Sequence, residues 1–147
     1  MNKPLKIAIT GNIAAGKSQV ENHLKTLGYK VLDTDNIAHE LLLDNNVKQQ
    51  ILKNFDKFDI LENNEISRKK LAKIVFTNKQ YKKALEDILH PIIMNKIHNF
   101  VKKYEQDTLL FVSIPQLFEA GMEGEFDKII LIYADDEIRL QRLMQRN

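Results

Sequence analysis

The sequence contains no cysteine and no tryptophan in its 147 residues. Without cysteine, the chain cannot form a disulfide scaffold, a zinc–thiolate site or a thiol nucleophile. It also has no apolar run long enough to cross a bilayer, and its first residues lack the charged and apolar segments of a signal peptide. We therefore expect a cytoplasmic protein that does not bind a membrane.

The charges of the chain are nearly balanced, with 22 Lys and Arg against 20 Asp and Glu and a formal net charge of +2. A nucleic-acid-binding protein needs a concentrated basic face, which this balance does not indicate. We predict no nucleic-acid partner, and a small anionic substrate fits the composition equally well.

The length is that of one domain with a sizeable core.

The pattern of apolar residues alternates between strands and helices along the chain. From Val47 to Tyr104 it predicts helices in pieces, with breaks near Asp59–Ser67 and at Pro91. The whole pattern predicts an α/β fold, a parallel sheet flanked by helices, with a helical insertion over roughly residues 45–105. The predicted strands are Leu5–Thr10, Tyr29–Leu32, Leu109–Ile114 and Lys128–Tyr133, the last two with both faces covered.

One motif follows the first predicted strand and runs into a predicted helix. It matches the pattern G-x-x-x-x-G-K-[ST] of the phosphate-binding Walker A loop. A chance match in a chain of this length is below about one per cent, which disfavours the alternative of a glycine turn with a surface lysine. The residues of the motif are Gly11, Asn12, Ile13, Ala14, Ala15, Gly16, Lys17 and Ser18, and Gln19 follows them.

Each residue type in this motif has a physical reason. Gly11 and Gly16 let the backbone turn tightly, so that successive N–H groups point into a phosphate-sized hollow. The start of the following helix adds its positive dipole. Lys17 is expected to bridge the β- and γ-phosphates, and the Ser18 hydroxyl to bind Mg²⁺. The motif therefore predicts that the chain binds a nucleoside triphosphate together with Mg²⁺.

Two carboxylates, Asp33 and Asp35, follow the second predicted strand directly. Ligands of open α/β sheets bind beyond the carboxyl ends of the strands, so we expect these side chains beside the phosphates. A carboxylate there can accept a proton from an attacking hydroxyl or hold a water on Mg²⁺. The alternative for Asp35 is an N-cap of a helix that begins at Asn36 or Ile37.

The last predicted helix carries three arginines, Arg139, Arg142 and Arg146, at spacings that place them on one face. Clustered guanidinium groups can clamp phosphates and neutralise charge that develops on a transferring phosphoryl group. The alternative is a solvated basic face. The phosphate-binding loop favours the interpretation as a mobile arginine lid.

Further segments, in chain order, are Ile66–Leu71, Val75–Phe76, Leu85–Pro91, Pro115–Glu119 and Arg142–Arg146. Together with the phosphate-binding loop and the two aspartates, they resemble the dephospho-CoA kinase family over the whole chain. The resemblance implies a P-loop kinase fold with a five-stranded parallel core, a helical acceptor-binding insertion and a lid that starts over roughly residues 136–147. The implied reaction transfers the γ-phosphate of ATP to the ribose 3′-hydroxyl of dephospho-CoA.

On the nucleotide side, the resemblance implies that residues from Gly11 to Gln19 hold the ATP phosphates. It also implies that Lys17 is a catalytic residue and that Ser18 binds Mg²⁺. Arg142 corresponds to a catalytic arginine of the lid, and Arg146 to a lid arginine that contacts the nucleotide.

On the acceptor side, the resemblance implies that Asp35 is the catalytic aspartate and that Asp33 is a supporting carboxylate at the substrate. His90 and Pro91 match the place where the insertion approaches the acceptor. Alternatively, Pro91 suits the first turn of a helix, and His90 satisfies only a local hydrogen bond.

The chain departs from the family pattern at several positions. Asn12, Ala15 and Gln19 replace a glycine, a serine and a threonine, but the backbone N–H groups remain and phosphate binding should survive. Ser113 stands where an aspartate usually ends the third core strand, which removes a support for Mg²⁺. Family members normally continue well beyond Asn147, so we expect a shortened chain that binds ATP and turns over poorly.

Two other functions remain open at this point. The first is another small-molecule or nucleotide kinase on the same fold. The second is an ATP-binding module without turnover. The sequence does not indicate an oligomeric state.

Overall fold

The computed structural model describes residues 3–11, 16–115, 117 and 121–146, apart from the side chain of Arg146. Strands and helices alternate along the chain, and a short 3₁₀ turn covers Glu123–Glu125. In chain order the elements are β1 (Leu5–Gly11), α1 (Lys17–Thr26), β2 (Lys30–Asp33), α2 (Thr34–Leu41), α3 (Asn45–Asn54), β3 (Leu61–Glu62), β4 (Glu65–Ile66), α4 (Arg68–Thr77), α5 (Lys79–Lys103), β5 (Leu109–Ser113), β6 (Lys128–Ile132) and α6 (Asp136–Arg146).

The main sheet is parallel, and its strands follow the order β2-β5-β1-β6. β1 lies between β5 and β6, with Ile9 opposite Ser113 and Gly11 opposite Ile132. β2 pairs with the other side of β5, which places Asp33 opposite Ser113. The predicted α/β fold with a parallel sheet is confirmed. The described residues form four strands of this sheet, whereas the resemblance implies five.

The two central strands supply the middle of the core. Ala8 and Ile9 on β1 and Leu110 and Val112 on β5 have no exposed surface. Strands of a parallel sheet that are covered on both faces have near-continuous apolar sequences, because no position faces water. The apolar pattern therefore identified these two strands correctly.

The prediction that both faces of β6 are covered is wrong. Ile129, Ile130 and Leu131 are exposed, and Leu131 keeps 61% of its accessible surface. Within the described residues, β6 is an edge strand that pairs with β1. The elements that pack on a sheet cover its central strands more completely than its edge, so an apolar run alone does not report burial there.

The chain divides into two compact units, Met1–Asp35 with Ile97–Asn147 and Asn36–Lys96. The second unit is mainly helical and packs around the buried ring of Phe55, whose centroid lies 5.2 Å from that of Tyr81. Aromatic pairs at this separation gain about 0.5–1.5 kcal/mol beyond the burial of their area. A role for this part of the chain in binding the acceptor stays a prediction.

The predicted break at Asp59–Ser67 is a short antiparallel hairpin formed by β3 and β4. Its turn contains Asn63 and Asn64, with φ of 54° and 65°. Asparagine tolerates this left-handed backbone better than most residues, which suits it to a tight hairpin turn.

The predicted break at Pro91 is wrong, because α5 continues through this residue. Proline removes the hydrogen bond that would join its nitrogen to the carbonyl of Asp87 and typically costs about 3 kcal/mol in a helix interior. Asp87 and Pro91 are both exposed, so water can solvate the carbonyl that loses its partner. The helix therefore tolerates Pro91 on its solvent-facing side.

Candidate active site

Gly11 ends β1 directly opposite Ile132 on β6. A β-carbon at Gly11 would lie 2.6 Å from the carbonyl oxygen of Ile132, which is closer than real β-carbons approach. The pairing of β1 with β6 therefore requires glycine here. This requirement comes from sheet packing and adds to the turn-forming role that the motif predicts.

Gly16 precedes α1 and has φ +100°, a left-handed conformation that side chains strongly disfavour. Within the described residues, no side chain caps the start of α1, and no acidic residue lies in its first turn. The N–H groups and the positive dipole of the helix are therefore suited to an anion. Asn12, Ile13, Ala14 and Ala15 lie outside the described residues, so their predicted contacts stay predictions.

Lys17 begins α1 and reaches the carboxyl end of β5. Its Nζ donates a hydrogen bond of 2.6 Å to the Oγ of Ser113 and lies 3.5 Å from the Oε1 of Glu21. Ser113 has no exposed surface, and its register neighbours are Ile9 on β1 and Asp33 on β2. The predicted phosphate-binding lysine therefore lies at the strand ends where ligands of open α/β sheets bind.

The segment of Asp33, Thr34 and Asp35 connects β2 to α2. Asp33 Oδ1 accepts a hydrogen bond of 2.9 Å from the backbone N–H of Asp35. The buried hydroxyl of Thr34 donates a hydrogen bond of 2.7 Å to the carbonyl oxygen of Ser113. These bonds attach the start of α2 to the end of β5, next to the residue that accepts from Lys17.

The interpretation of Asp35 as an N-cap of a helix beginning at Asn36 or Ile37 is wrong. The helix begins at Thr34, and Asp35 lies within its first turn. Asp33, the residue before the helix, is the one whose side chain accepts from a first-turn N–H group. This alternative places the cap two residues too late, because an Asp-x-Asp pattern offers two equivalent candidates.

The arginines of α6 do not all have the same surroundings. A β-carbon at Gly16 would lie 3.3 Å from Nη1 of Arg142, so this guanidinium lies against the backbone at the start of α1. Arg139 instead forms an ion pair of 2.9 Å with Asp136 on its own helix. The side chain of Arg146 is outside the described part of the chain. Arg142 therefore lies beside Gly16, in the loop that the motif predicts to bind phosphate.

The remaining predicted residues differ in their exposure. Ser18 and Gln19 are exposed in the first turn of α1. His90 is half-buried and Pro91 is exposed, both on α5 in the second unit. Their predicted contacts with the acceptor stay predictions.

Among the described side chains, no group of three or more His, Cys, Asp or Glu residues could hold a metal ion. Mg²⁺ in phosphoryl-transfer sites takes one or two protein oxygens and obtains its other ligands from phosphates and water. The exposed hydroxyl of Ser18 fits this kind of site, because it is a hard oxygen donor at the start of α1.

Sequence reasoning missed two residues that organise this site, Glu21 and Thr34. Glu21 is buried one helical turn after Lys17, and Thr34 joins two elements that are distant in sequence. The i, i+4 spacing of a lysine and a glutamate was a signal for the first residue. No local pattern indicates the second, because its partner lies on another strand.

The family model for dephospho-CoA kinase matches residues 5–147. The chain belongs to the dephospho-CoA kinase family. A dephospho-CoA kinase from Fusobacterium nucleatum is 36% identical over 141 residues, which cover 96% of this chain and 72% of that protein. Members of this family are kinases of the transferase class, and their activity belongs to coenzyme A biosynthesis.

Solved structures agree with this assignment. A protein from Thermus thermophilus superposes with a TM-score of 0.88 at 34% identity, covering 99% of this chain and 74% of that one. A dephospho-CoA kinase from Campylobacter jejuni has a TM-score of 0.68 at 37% identity, covering 96% and 72%. Among the described residues of our chain, no helix has the length and apolar character needed to cross a membrane.

Proposed function

We propose that the chain transfers the γ-phosphate of ATP to the ribose 3′-hydroxyl of dephospho-CoA, giving coenzyme A in the last step of its synthesis. The observation that carries this proposal is the 2.6 Å hydrogen bond from Lys17 to Ser113. It supports a phosphate site at the ends of β1 and β5, next to the carboxylate of Asp33 on β2. Family membership supports the choice of acceptor.

The ATP phosphates are proposed to lie on the loop from Gly11 to Gln19. The conformation of Gly16 supports an anion there, as does the start of α1, which no side chain caps in the described part of the chain. Lys17 supplies positive charge to the β- and γ-phosphates, and one preorganised donor of this kind typically contributes about 10²–10³-fold in rate.

Mg²⁺ is proposed to bind the hydroxyl of Ser18 together with phosphate oxygens. When bound, the ion neutralises negative charge on the phosphates. Ser113 is a hydroxyl rather than a carboxylate and already accepts from Lys17, so we assign it to the lysine and not to the ion.

Asp35 is proposed to orient the acceptor hydroxyl and to take its proton. The acceptor oxygen forms a bond to the γ-phosphorus, the bond from this phosphorus to the β,γ-bridging oxygen breaks, and ADP leaves. Two observations support Asp35 in this role. Its side chain is exposed at the start of α2, and the capping function belongs to Asp33. Asp33 is then a supporting carboxylate at the substrate.

Arg142 and Arg146 are proposed to act as lid arginines, over a lid that starts in residues 136–147. The position of Arg142 against the backbone of Gly16 supports this for the first of them. A guanidinium there would stabilise charge on the transferring phosphoryl group. His90 and Pro91, in the helical insertion of roughly residues 45–105, are proposed to contact dephospho-CoA.

The proposal is tested by measuring coenzyme A formation from ATP and dephospho-CoA, beside a panel of nucleoside monophosphate acceptors. ATP binding is measured separately by calorimetry, with Lys17→Ala compared to Lys25→Ala, an exposed lysine on the same helix. Transfer to dephospho-CoA that is lost only in Lys17→Ala supports the proposal. Preferred transfer to a monophosphate indicates another nucleotide kinase. ATP binding without transfer to any acceptor indicates a binding module.

A further inference from the structure

Glu21 is a buried carboxylate that the proposed reaction does not use. We infer that Glu21 lowers the affinity of this site for nucleotide phosphates by placing a fixed negative charge beside Lys17, and so sets how tightly ATP binds. This inference rests on the proposed function, since it concerns the same phosphate site. Glu21 itself is not proposed to touch the nucleotide.

Glu21 is buried beside Lys17, the lysine of the proposed phosphate site. The residue is only 6% exposed, and its Oε1 lies 3.5 Å from Lys17 Nζ. Glutamate is rarely buried this deeply unless it is paired, because an isolated buried charge is strongly destabilising. Lys17 is its ion-pair partner, and the side chain of Lys17 is itself only 18% exposed.

The position of this charge is fixed by the helix. Lys17 and Glu21 are four residues apart on α1, so they lie on one face, one turn apart. Among the described residues, the ammonium group also donates to the neutral hydroxyl of Ser113, whose carbonyl oxygen accepts from Thr34. The helix therefore keeps Glu21 on the face of α1 that carries Lys17 when phosphates approach.

Two effects of this carboxylate act in the same direction. It competes with phosphate oxygens for the N–H groups of Lys17, and it repels the negative charge of the phosphates. Such repulsion is weakly screened at a buried site and is stronger than at the surface. Removing the charge should therefore tighten ATP binding, by about tenfold. The effect should be smaller for ADP, which carries less charge and has no γ-phosphate.

The alternative is that the pair only stabilises α1, as many i, i+4 pairs do at a protein surface. Lys70 and Asp59 provide a comparison, because their Nζ and Oδ2 atoms are 3.6 Å apart but both side chains are more exposed, at 41% and 83%. Asp59→Asn removes a lysine-paired carboxylate at nearly the same distance without affecting a buried charge.

The experiment measures the Kd of ATP and of ADP, each with Mg²⁺, by calorimetry for wild type, Glu21→Gln, Glu21→Asp and Asp59→Asn. We expect Glu21→Gln to bind ATP about tenfold more tightly, with a smaller gain for ADP. Glu21→Asp keeps the charge and should stay near wild type, as should Asp59→Asn. A purely structural role would move the melting temperature of Glu21→Gln and leave the Kd ratio of ATP to ADP unchanged.

Unchanged or weaker ATP binding by Glu21→Gln would overturn the inference, as would equal tightening by Glu21→Asp. If Glu21→Gln does not fold, Glu21→Leu removes the same charge with a side chain suited to the buried face. If wild type binds ATP through Lys17 and the neutral variants bind it no more tightly, the inference about Glu21 fails and the proposed function stands. If neither wild type nor the neutral variants bind ATP, the proposed function fails with it.

Discussion

Asp33 and Asp35 are separated by one residue, and they differ in position and hydrogen bonding at the start of α2. Asp33 accepts a hydrogen bond of 2.9 Å from a first-turn N–H group of α2, whereas Asp35 is exposed within that turn. Loss of an N-cap costs about 0.5–2 kcal/mol, so Asp33→Ala should lower the free energy of unfolding by about 1 kcal/mol. Asp33→Asn is the matched control, because asparagine caps a helix as well as aspartate does.

Asp35→Asn should instead lower the catalytic rate and leave stability nearly unchanged. The variant keeps the size of the side chain and loses the proton acceptor, so we expect kcat to fall by about 10²-fold or more. The free energy of unfolding should fall less than in Asp33→Ala, because the cap belongs to Asp33. ATP affinity should stay near wild type, since the phosphate loop is unchanged.

The assays are urea unfolding for stability, calorimetry for ATP and steady-state formation of coenzyme A for kcat. A kcat for Asp35→Asn within about twofold of wild type would refute the catalytic role of Asp35. A loss of stability in Asp35→Asn, with none in Asp33→Ala, would refute the assignment of the cap to Asp33.

Three further variants test the rest of the site. Lys17→Ala should reduce kcat by about 10²–10³-fold in the coenzyme A assay, and near wild-type turnover would contradict the phosphate-loop assignment. Gly11→Ala should lower the melting temperature, because its β-carbon would lie 2.6 Å from the carbonyl oxygen of Ile132; an unchanged melting curve would contradict the close pairing of β1 with β6. Thr34→Val should lower the free energy of unfolding in urea by about 1–3 kcal/mol, because a buried 2.7 Å hydrogen bond is lost at nearly constant shape; no change would mean that this bond does not stabilise the site.

Local patterns in the sequence were sufficient for the parallel α/β fold. The apolar run around Ile9 predicted a strand, the run around Val112 predicted a strand covered on both faces, and both side chains are fully buried. The apolar run before Gly11 and the helical spacing of apolar residues after Lys17 predicted a strand followed by a helix, and β1 and α1 occur in that order. These features depend on side-chain periodicity and on glycine backbone freedom, which act within a few residues.

Other features were decided only by tertiary structure. The strand order places β5 between β1 and β2, and this brings Ser113 to Lys17 across 96 positions of the sequence. The same packing buries Glu21, for which the sequence indicated only a possible pair with Lys17, and leaves Leu131 exposed on an edge strand although it stands in an apolar run. A hydrogen bond or a buried charge depends on which distant groups meet it, and local periodicity contains no information about that pairing.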